Sequence, residues 1–208
     1  MKWIKFCITN RIPYYIYRLQ KEDSIILNNI KPDGFIIILS GIVYITKVFA
    51  NREVSPIAIL NENNIFIKNQ KENKIHYTMV ALQTTYIINI NHNIHKYQKG
   101  NILTCINILN NYKQTYEKYE VINKIVCQKQ VKHRILQLIF ILSLQYGIIK
   151  GQTIFIPFNL SYHNIAILTG TSKNTVVKVM KKMYAIGIKR DIIHNTILIK
   201  NILNLKLQ

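Results

Sequence analysis

Between Leu160 and Met183 the chain carries side chains able to read the edges of base pairs. Val176, Val179, Met180 and Met183 fall at i, i+3, i+4 and i+7, the spacing of one buried helical stripe. Lys173, Asn174, Val177, Lys178 and Lys181 are left on the outward side. An asparagine amide pairs a donor with an acceptor and so matches adenine; lysine reaches guanine O6 and N7; a valine methyl can meet that of thymine. Thr171 and Ser172 stand at the helix start, where a hydroxyl can cap the helix or donate to a phosphate and where the backbone favours negative charge.

Such residues need a second helix to hold them. Ser161 is a natural N-cap for a short helix running to about Thr169. Ala166 is small where two helices must cross, and Gly170 supplies the turn, so the segment reads as a helix-turn-helix. Ser161 and His163, at the start of the first helix, are assigned to the same DNA-facing surface. The alternative is an ordinary helical hairpin with a solvated basic face. After the second helix, residues 188–193, the pair His194-Asn195 and residues 196–199 read as strand, turn and strand. In such a wing Lys189, Arg190 and Lys200 are available for phosphates.

The preceding chain divides by periodicity. From Ile25 to Ile90, β-branched runs are predicted as strands at 24–27, 35–39, 42–48, 57–60, 77–82 and 86–90, separated by polar turns. These short, regularly spaced runs point to an antiparallel sandwich or barrel. The Ser40-Gly41 pair suits a tight hairpin. After Gly100 the period becomes helical: Cys105, Leu109, Tyr112, Tyr116, Tyr119, Ile122 and Val126 recur every three or four residues. A helix with that stripe can pair with a copy of itself or pack on its own domain, and periodicity does not choose between the two. A second helix over 131–146 is apolar on more of its surface and is expected to be buried, with Gly147 ending it in the left-handed conformation.

Composition sets limits on these readings. Of 208 residues, 28 are Lys or Arg and 9 are Asp or Glu, a net charge of +19 that favours polyanionic partners. The abundance of Ile, Asn, Lys and Tyr also matches A/T-rich codons, so the lysine excess alone does not decide the partner. A hydrophobic fraction of 49% is enough for packed cores. Cys7, Cys105 and Cys127 lie far apart with no CxxC spacing and read as thiols in a reducing compartment. His92 and His95 have no carboxylate or cysteine beside them and read as surface residues. No metal site is expected. The segment from Met1 to Tyr15 makes a poor signal peptide, and the run from Ile135 to Ile149 is too short for a membrane span. No serine–histidine–aspartate set, phosphate loop or paired acids argue for an enzyme.

The order of strands, long helix, buried helix, helix-turn-helix and wing resembles the Crp/Fnr family of dimeric bacterial transcription regulators. Within it the similarity is greatest to the NtcA branch of cyanobacterial nitrogen regulators and plastid-encoded relatives. The resemblance extends from about Pro32 to Leu203 and rests on residues 38–43, 58–63, 134–142, 160–166 and 170–178, the last two being the most specific. It implies an α+β fold: an antiparallel β-roll (jelly roll) like that of cyclic-nucleotide-binding domains at 1–100, a dimerisation helix at 101–130 and a winged helix-turn-helix at 131–208. It also implies a homodimer on palindromic promoter DNA, RNA polymerase as a partner, no membrane, and location in the plastid stroma or otherwise a bacterial cytoplasm.

In the NtcA branch the effector is 2-oxoglutarate, and the resemblance maps its site onto Phe66, Ile67, Lys68 and Glu120. The expected ligand arginines are replaced by Ile75 and Thr115, leaving Lys68 and Lys74 as the nearby cations. A dianion without bidentate arginine binds weakly, so the expectation is that this control is weakened or lost. Lysine at 173 and 178, where the family usually has arginine, implies looser base reading. Residues 77–81 lack the arginine of cyclic-nucleotide sensors, and three cysteines are fewer than the four expected of an iron–sulfur sensor. The competing reading is a constitutive or low-specificity architectural DNA-binding protein with a degenerate sensor domain.

Overall fold

The computed structural model describes residues 2–27, 34–67, 75–90, 102–191 and 196–200, with side chains from 107 onward in the fourth segment. The chain forms two compact units, Met1–Ile122 and Asn123–Gln208.

The first unit opens with α1 (Lys2–Thr9). Eight strands follow among the described residues: β1 (Tyr14–Leu19), β2 (Ser24–Ile26), β3 (Phe35–Ser40), β4 (Ile42–Val48), β5 (Val54–Asn61), β6 (Ile65–Ile67), β7 (His76–Ala81) and β8 (Thr85–Ile90). They make two four-stranded antiparallel sheets, ordered β1-β8-β3-β6 and β2-β7-β4-β5. In β7 burial alternates, so Tyr77, Met79 and Ala81 turn inward, as expected of a strand with one buried face. They meet Ile36, Ile38 and Ile87 of the opposite sheet in the inter-sheet core. In β3, Phe35 through Ile38 are all buried because both of its faces are covered. Ile36 and Ile38 face the inter-sheet core, while Phe35 and Ile37 pack with Trp3 and Cys7 of α1. That is why the sequence there is a continuous apolar run without alternation.

The Ser40-Gly41 turn is not a hairpin. β3 and β4 belong to different sheets, and Gly41 carries the chain from one to the other. It takes φ 97°, and a Cβ there would stand 2.7 Å from the Thr84 carbonyl oxygen, at the start of β8. Close approach to a third strand, added to the positive φ, therefore demands glycine. β5 begins three residues earlier than predicted and contains Pro56. It is an edge strand, where a missing N–H is tolerated.

α2 (Ile102–Val126) has two apolar faces where the sequence suggested one stripe. Tyr119 packs against the inter-sheet core and Thr115 and Ile122 are buried, whereas Leu109, Tyr112 and Tyr116 are 67%, 44% and 60% exposed. The Cys105 side chain lies outside the described residues.

In the second unit, α3 (Val131–Tyr146) buries Ile135, Leu138, Ile139 and Leu142 on one face and leaves Leu144 exposed. Gly147 is not left-handed; its φ of −65° and ψ of 136° lead directly into β9 (Ile148–Lys150). Glycine is needed for space, because a Cβ would lie 2.6 Å from Ile154 Cγ2. β10 (Thr153–Phe155), α4 (Tyr162–Leu168), α5 (Lys173–Tyr184), β11 (Ile188–Asp191) and β12 (Thr196–Lys200) complete the unit. The wing strands β11 and β12 pair as expected, but β12 also pairs with β10, giving a four-stranded sheet β11-β12-β10-β9. The predicted wing turn, including His194 and Asn195, lies outside the described residues.

Candidate nucleic-acid interface

Local chemistry builds α4 and α5 as the spacing predicts. Ser161 is the N-cap of α4, its hydroxyl accepting from the Asn164 N–H at 3.1 Å. Ala166 is 4% exposed, with Ile165 and Leu168 fully buried. Gly170, at φ 59°, ends the helix, and the Thr171 N–H donates back to the Ala166 carbonyl at 2.9 Å. Ser172 then caps α5, accepting from the Thr175 N–H at 3.2 Å. Both serines are therefore engaged in starting helices, and each satisfies a donor that helix geometry leaves without a partner.

On α5, Val176, Met180 and Met183 are buried. Val177 and Val179 are half-buried, so Val177 is less prominent than the sequence suggested. Lys173, Asn174, Lys178 and Lys181 are exposed, with Lys182 beside them. Residues 161–187 contain no Asp or Glu, so no carboxylate within this segment offsets the lysines. Lys181 and Lys182 complement the negative end of the α5 dipole; Lys173, at the positive end, opposes it and concentrates positive potential at the helix start. His163 is exposed on α4, and Thr171 is half-buried in the turn.

Two cation–aromatic pairs join the wing to the helices. Lys189 Nζ lies 3.9 Å from the centre of the Tyr184 ring, and the Arg190 guanidinium lies 4.4 Å from that of Tyr162. Hydrogen bonding to Lys189, and its charge, hold the Tyr184 hydroxyl below the ordinary tyrosine pKa. With Met180, Lys181 and Ile188 these four residues line a groove of about 370 Å³. The two tyrosines and Lys182 were not picked out from the sequence. Tyrosine next to a cation in space but not in sequence leaves no local pattern to find.

The expected effector residues are not gathered in the same way. Phe66 is buried edge-to-face against Tyr77, with ring centres 5.4 Å apart, while Ile67 faces solvent from the opposite side of β6. Thr115 is buried and accepts from the Ile65 N–H at 2.9 Å while donating to the Asn111 carbonyl at 2.8 Å. Ile75 and Glu120 are half-buried. Lys68, Lys74, His92 and His95 lie outside the described residues. A separate cavity of about 220 Å³ in this unit is lined by Lys2, Trp3, Phe6, Asn63, Asn107 and Asn111. Cys7 is buried, which pushes its thiol up to about 11, and Cys127 is exposed. Among the described residues no group of three or more His, Cys, Asp or Glu could hold a metal ion. Among them, too, no helix is long and apolar enough to cross a membrane.

No protein-family model matches the chain. It is 24% identical over 216 residues to a protein of Porphyra purpurea named as the HTH-type transcriptional regulator ycf28, covering 95% of this chain and 85% of that one. Among solved structures, CprK in complex with OCPA aligns with a TM-score of 0.69 at 18% identity, covering 99% of this chain and 93% of that one. A CRP-family transcriptional regulator from Thermus thermophilus gives 0.71 at 14% identity, covering 91% and 94%. FixK2 from Bradyrhizobium japonicum gives 0.68 at 12%, covering 95% and 99%. The fold is that of the Crp/Fnr regulators: a cyclic-nucleotide-binding-like β-roll followed by a winged helix-turn-helix.

Proposed function

We propose that the chain is a sequence-specific transcription regulator that binds double-stranded DNA as a homodimer, with α5 in the major groove. The carrying observation is the division of α5: Val176, Met180 and Met183 anchor it while Lys173, Asn174, Lys178 and Lys181 stand exposed. Base edges in a major groove are read by such donors, and the wing cations supply backbone contacts. Two copies pair through Leu109, Tyr112 and Tyr116, whose i, i+3, i+7 spacing makes an exposed seam on α2. Paired recognition helices then suit a palindromic promoter site with half-sites one helical turn apart, from which the dimer addresses RNA polymerase.

Within that reading, the protein belongs with the nitrogen-control regulators but has lost response to 2-oxoglutarate, and it works in a plastid stroma. Loss of response is favoured by Thr115, which holds the Ile65 N–H where the resemblance expects an arginine free for a carboxylate. The A/T-rich-codon composition supports the location.

Fluorescence anisotropy tests this, using a palindromic duplex selected by the chain from a randomised pool and a scrambled control. At about 0.15 M salt, where screening limits non-specific attraction, a preference of roughly 10³-fold or more is expected. 2-Oxoglutarate is expected to leave it unchanged. Equal binding to both duplexes would refute specific regulation and favour the architectural reading. Enhancement by the metabolite would refute loss of the effector response.

A further inference from the structure

We propose that Arg134 is a positioning residue that ties the turn between α4 and α5 to the connection following α2, and so sets the presentation of Lys173 and Asn174. This rests on the DNA-binding reading of α5.

Arg134 lies on the first turn of α3, and its guanidinium spans two separate pieces of backbone. Nε donates to the Gln128 carbonyl at 2.6 Å. Nη1 faces the Thr169 carbonyl at 3.3 Å and the Gly170 carbonyl at 3.5 Å. Thr169 and Gly170 close α4, where carbonyls run out of helical partners and the dipole is negative, so a cation there is well placed. Only Thr171 and Ser172 separate Gly170 from the start of α5. Gln128, on the other side, is bonded to the last turn of α2, its N–H donating to the Ile125 carbonyl at 3.2 Å. A Cβ on Gly170 would lie 3.7 Å from Arg134 Nη1 and 3.8 Å from Val126 Cγ1, so the turn also lies close to the end of α2. Arginine suits this post because its rigid fork can hold two sites at fixed separation, whereas a lysine ammonium is a single point on a flexible stem. A shift of the residues after α2 is therefore delivered to the α5 N-terminus through one side chain.

The test uses the full chain with Arg134→Lys, which keeps the charge, and Arg134→Gln. Anisotropy on the selected and scrambled duplexes gives the preference, thermal melting gives stability, and hydrogen exchange reports the Thr171 amide. In both variants the preference is expected to fall by about tenfold or more, the size of one lost base contact, and Thr171 exchange to accelerate. In Arg134→Lys the affinity for scrambled DNA is expected to stay within about twofold of wild type, because backbone attraction follows charge. A merely structural role would lower binding to both duplexes together, in step with melting. That result, or an unchanged preference in both variants beside an intact wild-type preference, would overturn the proposal. Wild-type protein without preference would remove the DNA reading, and this inference with it.

Discussion

Lys189 sits over the ring of Tyr184, 3.9 Å from its centre, so the last turn of α5 grips the first strand of the wing. The same pair controls a titration. Hydrogen bonding to Lys189 and its charge lower the Tyr184 pKa, whereas burial raises Tyr44 and Tyr146 to about 12. Absorbance titration is expected to show Tyr184 ionising first among these three, and Tyr184→Phe to remove that component. Lys189→Ala should return it toward the ordinary range. A folded pKa below the unfolded one favours the phenolate, so stability from this pair appears as pH rises through the folded value. That increment is complete only above the unfolded value and is lost as pH falls through the folded one.

Asn174→Ala is expected to cost about 1–3 kcal/mol on the selected duplex and relax preference at one base step. Lys200→Ala, on the exposed end of the wing strand β12, should weaken all duplexes alike and reduce the salt slope by about 0.9. Anisotropy against single-base-substituted duplexes over a salt series separates the two, and uniform weakening by Asn174→Ala would remove its base-reading role.

Gly170 and Gly147 should respond to substitution for opposite reasons. Gly170 has φ 59°, and a Cβ there would meet nothing closer than 3.7 Å, so Gly170→Val is penalised by conformation, by about 1–2 kcal/mol. Gly170→Asn should be milder, since asparagine accepts that conformation. Gly147 has an ordinary φ but no room, so even Gly147→Ala is expected to destabilise. Urea unfolding of the three variants checks the order.

Thr115→Val keeps the shape but removes the acceptor of the buried Ile65 N–H. A loss of about 1–3 kcal/mol in urea unfolding is expected, the range for a buried donor left without a partner.

Tyr112→Asp with Tyr116→Asp places charge on the exposed seam of α2 while leaving the buried Thr115 and Ile122 untouched. Sedimentation is expected to show a dimer for the wild type and a monomer for the double variant. A dimer in both would move the pairing surface elsewhere.

What the sequence disclosed followed from how local the cause was. α5 was legible because its cap, stripe and polar face all sit within a dozen residues, and Ser172 needs only Thr175 to cap the helix. β3 was legible as a strand, but not its place: Ile36 and Ile37 look alike in sequence yet face different cores. Gly41 was correctly marked as a turn, but β3 and β4 pair with strands that come later in the chain, β8 and β7, instead of with each other. α1, β1, β6, β9 and β10 were missed: β6, β9 and β10 have three residues each, too few to show a period, and α1 and β1 depend on distant partners, as Trp3 does on Phe35 and β1 on β8. The candidate effector residues came from resemblance alone, which carried no information on where Phe66 packs.

β12 lies inside its sheet, with β11 on one side and β10 on the other. Its Ile197 and Ile199 are buried, and the Ile156 N–H donates to the Ile197 carbonyl at 3.0 Å. During synthesis, helices α3 to α5 therefore leave the ribosome before the strand that completes their sheet exists. Until residues 196–200 emerge, β10 has no partner on that side and the nascent unit lacks part of its core. The competence of this unit is thus timed by the late appearance of one five-residue strand.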